Sequence, residues 1–131
     1  MPTQFGMRAS LNLPYEQAIE KTVAALLAEG FGVLTQIDVK ATLKQKINED
    51  FRRYVILGAC NPALAHRALS ANLNAGLLMP CNVTVYEEAD GSIVTAVDPL
   101  ETLGSLKEDN VAKDVAMEAR AKLQRVVARL T

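Results

Sequence analysis

The chain has no tryptophan, a single histidine, only two cysteines and no surplus of charge of either sign, and each shortage narrows what it can be. Lys and Arg total 14 against 15 Asp and Glu, so there is no excess of positive charge to displace counterions from a phosphate backbone. Nucleic acid is therefore not an expected partner. The first residues, Met1-Pro2-Thr3, lead into an alternating pattern without a basic segment followed by an apolar one, which predicts a cytoplasmic chain. In that compartment the two cysteines are expected to remain thiols rather than form a disulfide. Also missing are a glycine-rich phosphate loop, a Ser-His-Asp ordering with supporting motifs and a paired-carboxylate signature. No motif places nucleophilic or acid-base chemistry, and nothing names a cofactor.

Long apolar runs are scarce too. The stretch 68–86 carries no charge and is nominally long enough to cross a bilayer. Ser70, Asn72, Asn74, Asn82 and Thr84 interrupt it, however, and Gly76 and Pro80 would break a helix in its second half. It reads as two buried elements joined by a turn, and no membrane association is expected.

What is present suffices for one core: half of the 131 residues are hydrophobic, near the modal size of a single domain, which is expected to span 1–131. Phe5, Met7, Ala9, Leu11 and Leu13 alternate with polar residues and predict a half-buried strand. Pro14 then opens a helix expected to bury Ile19, Val23, Leu26 and Leu27, with Gly30 as its stop. Residues 31–39 read as a second strand, and Asp38 as the cap of a short peripheral helix with the stripe Val39, Leu43 and Ile47. Residues 53–60 are almost continuously apolar, as in a strand covered on both faces or lying in an interface.

Asn61-Pro62 caps and opens a third helix, with Leu64, Ala65, Ala68, Leu69 and Leu73 on one side. Two strands then flank Asp90-Gly91, a hairpin dipeptide that would set Val85 opposite Ala96 and Val83 opposite Asp98. Past Asp98-Pro99 and a turn through Leu100, Leu103 and Leu106, Asn110 is the expected cap of a long terminal helix. Its predicted stripe is Val111, Val115, Ala119, Leu123, Val126, Val127 and Leu130. The order β-α-β-(short α)-β-α-β-β-α predicts an α+β two-layer sandwich, a mixed or antiparallel five-stranded sheet under three main helices.

Gly58-Ala59-Cys60-Asn61-Pro62, Leu77-Leu78-Met79-Pro80-Cys81-Asn82-Val83, Tyr86-Glu87, Asp90-Gly91 and Asp98-Pro99 together resemble the family known as domain of unknown function 302. Pro14, Gly30-Phe31 and Ile37-Asp38-Val39 fit the same pattern, so the resemblance covers nearly the whole chain. The two Cys-Asn units, each beside a proline, are its more specific part. It implies a small α+β domain, commonly a homodimer, and carries over no catalytic residues.

Cys60 lies just before a helix N-terminus, where unpaired N–H groups and the dipole would favour a thiolate. The plainer reading makes it a small hydrophobe ending a buried strand, and Cys81, which shares a strand face with Val83 and Val85, reads the same way. Cys60, His66 and Cys81 could be taken for a zinc or copper(I) site. Their spacing lacks the short CxxC clamp and a fourth ligand, and a regular crossover would place Cys60 and Cys81 at opposite ends of the sheet. Only an irregular path through residues 75–80 would reunite them, and His66 reads as an edge residue of its helix. Asn61 has a sufficient job as a cap, whereas Asn82 has none and is the better candidate for binding. Lys40, Lys44, Lys46, Arg52 and Arg53 form a basic cluster that Glu49 and Asp50 dilute to a solvated face.

Two functions compete. The first is a non-catalytic small-ligand-binding or accessory module acting as a homodimer, because the apolar-rich strands and the stretch 68–86 exceed what one sheet and three helices can bury. The second is a thiol- or metal-dependent, redox-type activity centred on Cys60.

Overall fold

Alternation in the first strand holds from Met7 to Leu11, whereas Phe5, counted in the same row, is 64% exposed and Leu13 is only partly buried. In the computed structural model, which describes residues 5–106 and 109–131, β1 (Gly6–Leu11) turns Met7, Ala9 and Leu11 into the core. The other strands are β2 (Gly32–Asp38), β3 (Tyr54–Cys60), β4 (Cys81–Glu88) and β5 (Gly91–Val97), and the five form one sheet in the order β1-β5-β4-β3-β2. Every neighbouring pair is antiparallel, so of the two sheet types left open by the sequence it is the antiparallel one, with β2 directly beside β3. Helices α1 (Tyr15–Ala28), α3 (Pro62–Ala71) and α4 (Asn110–Arg129) pack with one face of this sheet into one core cluster, an α+β two-layer sandwich. Leu26, Leu57, Val83, Val85, Val94 and Leu123 are fully buried there. None of the described helices is long and apolar enough to cross a membrane.

Local capping follows the sequence closely. Asp38 accepts a hydrogen bond from the Ala41 N–H at 3.0 Å and opens α2 (Val39–Ile47), which buries no residue and is peripheral as predicted. Asn61 accepts from the Leu64 N–H at 3.3 Å, and Pro62 occupies the first turn of α3. Gly30, at φ +85°, ends the α1 segment in the left-handed region.

Where tertiary packing decides, the structure corrects the sequence reading. The buried face of α1 is Ala18, Thr22, Ala25 and Leu26, while Ile19 and Val23 are only partly buried and Leu27 is 69% exposed. A small-residue face lets α1 pack closely on both the sheet and α4, and Thr22 remains satisfied by donating to the Ala18 carbonyl at 2.7 Å. Helix α3 ends at Ala71, so Leu73 leaves its stripe and is 86% exposed at the head of a 3-10 segment, Leu73–Leu78. The cap of α4 is Asp109, accepting from the Ala112 N–H at 2.9 Å, rather than Asn110, and Val111 faces solvent.

The hairpin joining β4 and β5 is also offset from its predicted register. Glu88 pairs with Gly91, which makes Ala89-Asp90 the turn, with Ala89 at φ +50°. Val83 therefore opposes Ala96 and Val85 opposes Val94. Asp98 is not part of this ladder: it accepts from the Leu100 N–H at 2.9 Å and from Arg120 Nε at 3.0 Å. Gly91 is needed for clearance instead of turn geometry, since a Cβ there would lie 2.5 Å from the Leu11 carbonyl oxygen.

Candidate functional site

Because β3 and β4 are antiparallel neighbours, the end of one and the start of the other coincide. Ala59 pairs with Cys81, which places Cys60 one residue beyond Cys81 on the adjoining strand. The expectation that the two cysteines sit at opposite ends of the sheet is thus overturned, by the irregular route that was the stated exception. After α3 the chain runs through the Leu73–Leu78 segment and a cis Met79-Pro80 bond, then re-enters beside the strand it left. Gly58 marks the crossing, since a Cβ on it would meet both Thr35 Oγ1 and the Pro80 ring.

These turns frame a small, solvent-open cleft between the sheet end and the helices. Cys60 and Cys81 lie on the strand side with Phe31 and Met79, and Leu64 and Ala65 of α3 face them. Leu103, Val115 and Ala119 close the far wall. Among the described residues that line the cleft, Asn61 is the one polar side chain besides the thiols; its Oδ1 is engaged by the helix cap and its Nδ2 lies against Gly30.

Both thiols are free. Desolvation pushes the Cys60 thiol above its ordinary value, and it pushes Cys81 up to about 11, with a smaller contribution from neighbouring Cys60. Upward shifts of this kind keep both sulfurs protonated near neutral pH, as weakly polar packing groups. The direction of the Cys60 shift agrees with the plainer reading of it as a small hydrophobe at a strand end, the alternative being the thiolate that its place before α3 would favour.

The remaining sequence candidates lie elsewhere. His66 is exposed on α3, its Nε2 3.4 Å from Ser70 Oγ, and does not line the cleft. Asn82 is exposed opposite Gly58, on the sheet face away from Cys81. Among the described residues no three of His, Cys, Asp and Glu stand together as a group able to hold a metal, so the Cys60, His66 and Cys81 constellation does not form. In the basic cluster Asp50 pairs with Lys44 at 3.1 Å, as its dilution by acidic neighbours predicts, while Arg52 pairs with Glu88 at 3.2 Å and Lys40 donates to the Phe51 carbonyl.

A polar knot that sequence reading missed joins the opposite ends of β3 and β4. Arg53 Nε donates to Glu87 at 3.0 Å, its Nη1 pairs with Glu16, and its guanidinium lies 5.1 Å from the Tyr15 ring centroid. Hydrogen bonds from the Arg53 backbone and side chain hold the Glu87 carboxyl below its usual range. Phe31, Met79, Leu103, Val115 and Ala119 were missed as well, because apolar residues from separate elements carry no motif.

A crystal structure of an uncharacterized conserved protein DUF302 from Bacillus stearothermophilus is similar to this chain, with a TM-score of 0.88 and 28% identity over 98% of this chain and 100% of that one. No curated protein matches. Residues 7–130 match the family described as domain of unknown function DUF302, and the chain belongs to that family.

Proposed function

We propose that this protein is a non-catalytic, homodimeric cytoplasmic module that holds a small apolar molecule in the Cys60-Cys81 cleft. The observation that carries this reading is the character of the cleft wall: thiol, thioether, aromatic and aliphatic groups, with the sulfurs kept neutral by burial. Such a lining rewards apolar contact and offers no charge to develop or transfer. Asn61 stands at the rim, where a ligand with one polar end would meet it.

The competing reading, a thiol-dependent activity centred on Cys60, makes the opposite demand on the sulfur. Iodoacetamide alkylation of the folded protein, followed by mass spectrometry at each cysteine, tests both. At pH 7 each thiol is expected to react far more slowly than an unperturbed cysteine of pKa about 8.5. Benzene should slow Cys60 further, and Ala65→Phe, which fills the cleft, should abolish that protection. Fast alkylation of Cys60 at pH 7, with an apparent pKa below about 8, would replace the binding reading with the thiol-dependent one. Unchanged alkylation under saturating benzene would remove the cleft as an apolar site.

A further inference from the structure

The sheet face opposite the helices is too apolar to serve as a solvated surface. Strand β3 shows this most directly: Val55, Leu57 and Ala59 enter the core, whereas Tyr54 and Ile56 alternate to the other side and stand outside it. Cross-strand pairing continues that second face in two rows. One runs from Ile37 to Ile56, Thr84 and Thr95, the other from Tyr54 to Tyr86, Ile93 and Ser10. Arg8 continues the first row on the edge strand β1, paired with Thr95, and is the one charged side chain in the two rows. An antiparallel sheet with one face in water ordinarily alternates apolar-in with polar-out. Here the open outward residues are Ile37 and Ile56, stacked tyrosines with centroids 5.2 Å apart, and threonines that hydrogen-bond each other, Thr84 to Thr95, while Ile93 is already covered within the chain.

The charges bordering this face are gathered at one corner, where Glu88 pairs with Arg8 at 3.6 Å and with Arg52 at 3.2 Å. Glu88 thus balances the guanidinium groups that reach onto the face, Arg8 beside Thr95 and Arg52 5.9 Å from the Tyr86 ring centroid, and the centre around Ile56 and Thr84 carries no charge of its own. Five strands about 4.8 Å apart, each about 20 Å long, present a face of roughly 500 Å² in projection. Side-chain relief adds to that, so two such faces together approach the roughly 1,200 Å² of a lasting interface. An isologous contact requires one self-complementary patch, and a flat neutral sheet face is that.

Building on the homodimer proposed above, we infer that two copies pack these open faces together, sheet on sheet, about a two-fold axis passing near Ile56 and Thr84. The contact would cover both rows and leave the Cys60-Cys81 cleft, on the helix side, accessible in each copy.

Sedimentation equilibrium at micromolar concentration tests the surface separately from the dimer. Wild-type protein should sediment at twice the 14.2 kDa chain mass. Ile56→Lys, at the centre, and Ile37→Lys, which is 47% exposed and cannot owe its effect to a damaged core, should each weaken association at least 100-fold. Leu73→Lys, 86% exposed and away from the sheet, should remain dimeric. Circular dichroism establishes that each variant is folded, and Ile37→Lys decides if Ile56→Lys is not. A dimeric wild type whose Ile37→Lys variant stays equally dimeric overturns this surface and leaves the homodimer standing. Dissociation by Leu73→Lys alone moves the interface to the Leu73–Leu78 segment. A wild type at the chain mass throughout overturns both readings.

Discussion

At the scale of single residues, the sulfur of Cys81 ties stability to pH in a direction that can be worked out. Its thiol ionises near 9 when exposed and is pushed to about 11 by burial, so in the folded chain it stays protonated over a range where the unfolded chain has already ionised. Below pH 9 both states hold the proton and the packing contribution is fully present. Between pH 9 and 11 the unfolded state is progressively favoured, by about 2 to 3 kcal/mol in total. The difference in urea unfolding free energy between wild type and Cys81→Ala should therefore shrink by about that amount across the window. A difference that stays flat from pH 8 to 11 would mean that Cys81 is solvated. Little of this was legible beforehand. The strand alternation that groups Cys81 with Val83 and Val85 marks it as inward-facing, but how far a residue at a strand end is desolvated depends on Phe31, Leu64 and α4, none of which is its neighbour in sequence.

Elements were legible where their signals are local and opaque where a rotation or slip costs the pattern nothing. Asp38 and Asn61 cap helices in the structure because a cap bonds to an N–H only three residues on, which the sequence displays directly. The face of α1 was misjudged because Ala18, Thr22 and Ala25 fit a 3.6-residue period as well as Ile19, Val23 and Leu27 do; packing against sheet and α4 chose the smaller set. The β4-β5 hairpin was recognised but its turn misplaced, since a displacement by one residue on each side keeps a two-fold alternation intact. The corrected turn makes its own demand. Gly91→Val would drive a side chain against the Leu11 carbonyl and should cost about 1 to 3 kcal/mol, the usual penalty of overpacking. Asp90→Asn, in the turn itself, should change stability by less than about 0.5 kcal/mol. Equal effects in urea titrations would show that β1 does not press on Gly91 as described.

The whole molecule follows a plan that the alternation of strand and helix periods reveals in outline: one sheet and one helical layer that includes the terminal helix. Its strand order and the meeting of Cys60 with Cys81 are long-range outcomes, fixed by the route through Leu73–Leu78 and Met79-Pro80 that no local pattern specifies. Long-range ties of another kind bind the helical layer, with Glu29 at the end of α1 accepting from Arg125 at 2.9 Å and Arg129 at 3.1 Å near the end of α4. These contacts hold one copy together at any dilution, whereas an open sheet face covered only by a second copy makes stability depend on concentration. If the native species is a dimer that dissociates as it unfolds, each tenfold increase in chain concentration should raise its stability by about 1.4 kcal/mol, the free energy of one decade in concentration. Urea midpoints should accordingly climb when protein is raised from the micromolar to the hundred-micromolar range, and in Ile37→Lys they should not. Monomer unfolding is unimolecular and cannot produce such a drift. A wild-type midpoint that stays fixed over that range would show that folding is completed within one chain, leaving Tyr54, Ile56 and Tyr86 covered only by neighbours of the same chain such as Phe51 and Arg52 and by water.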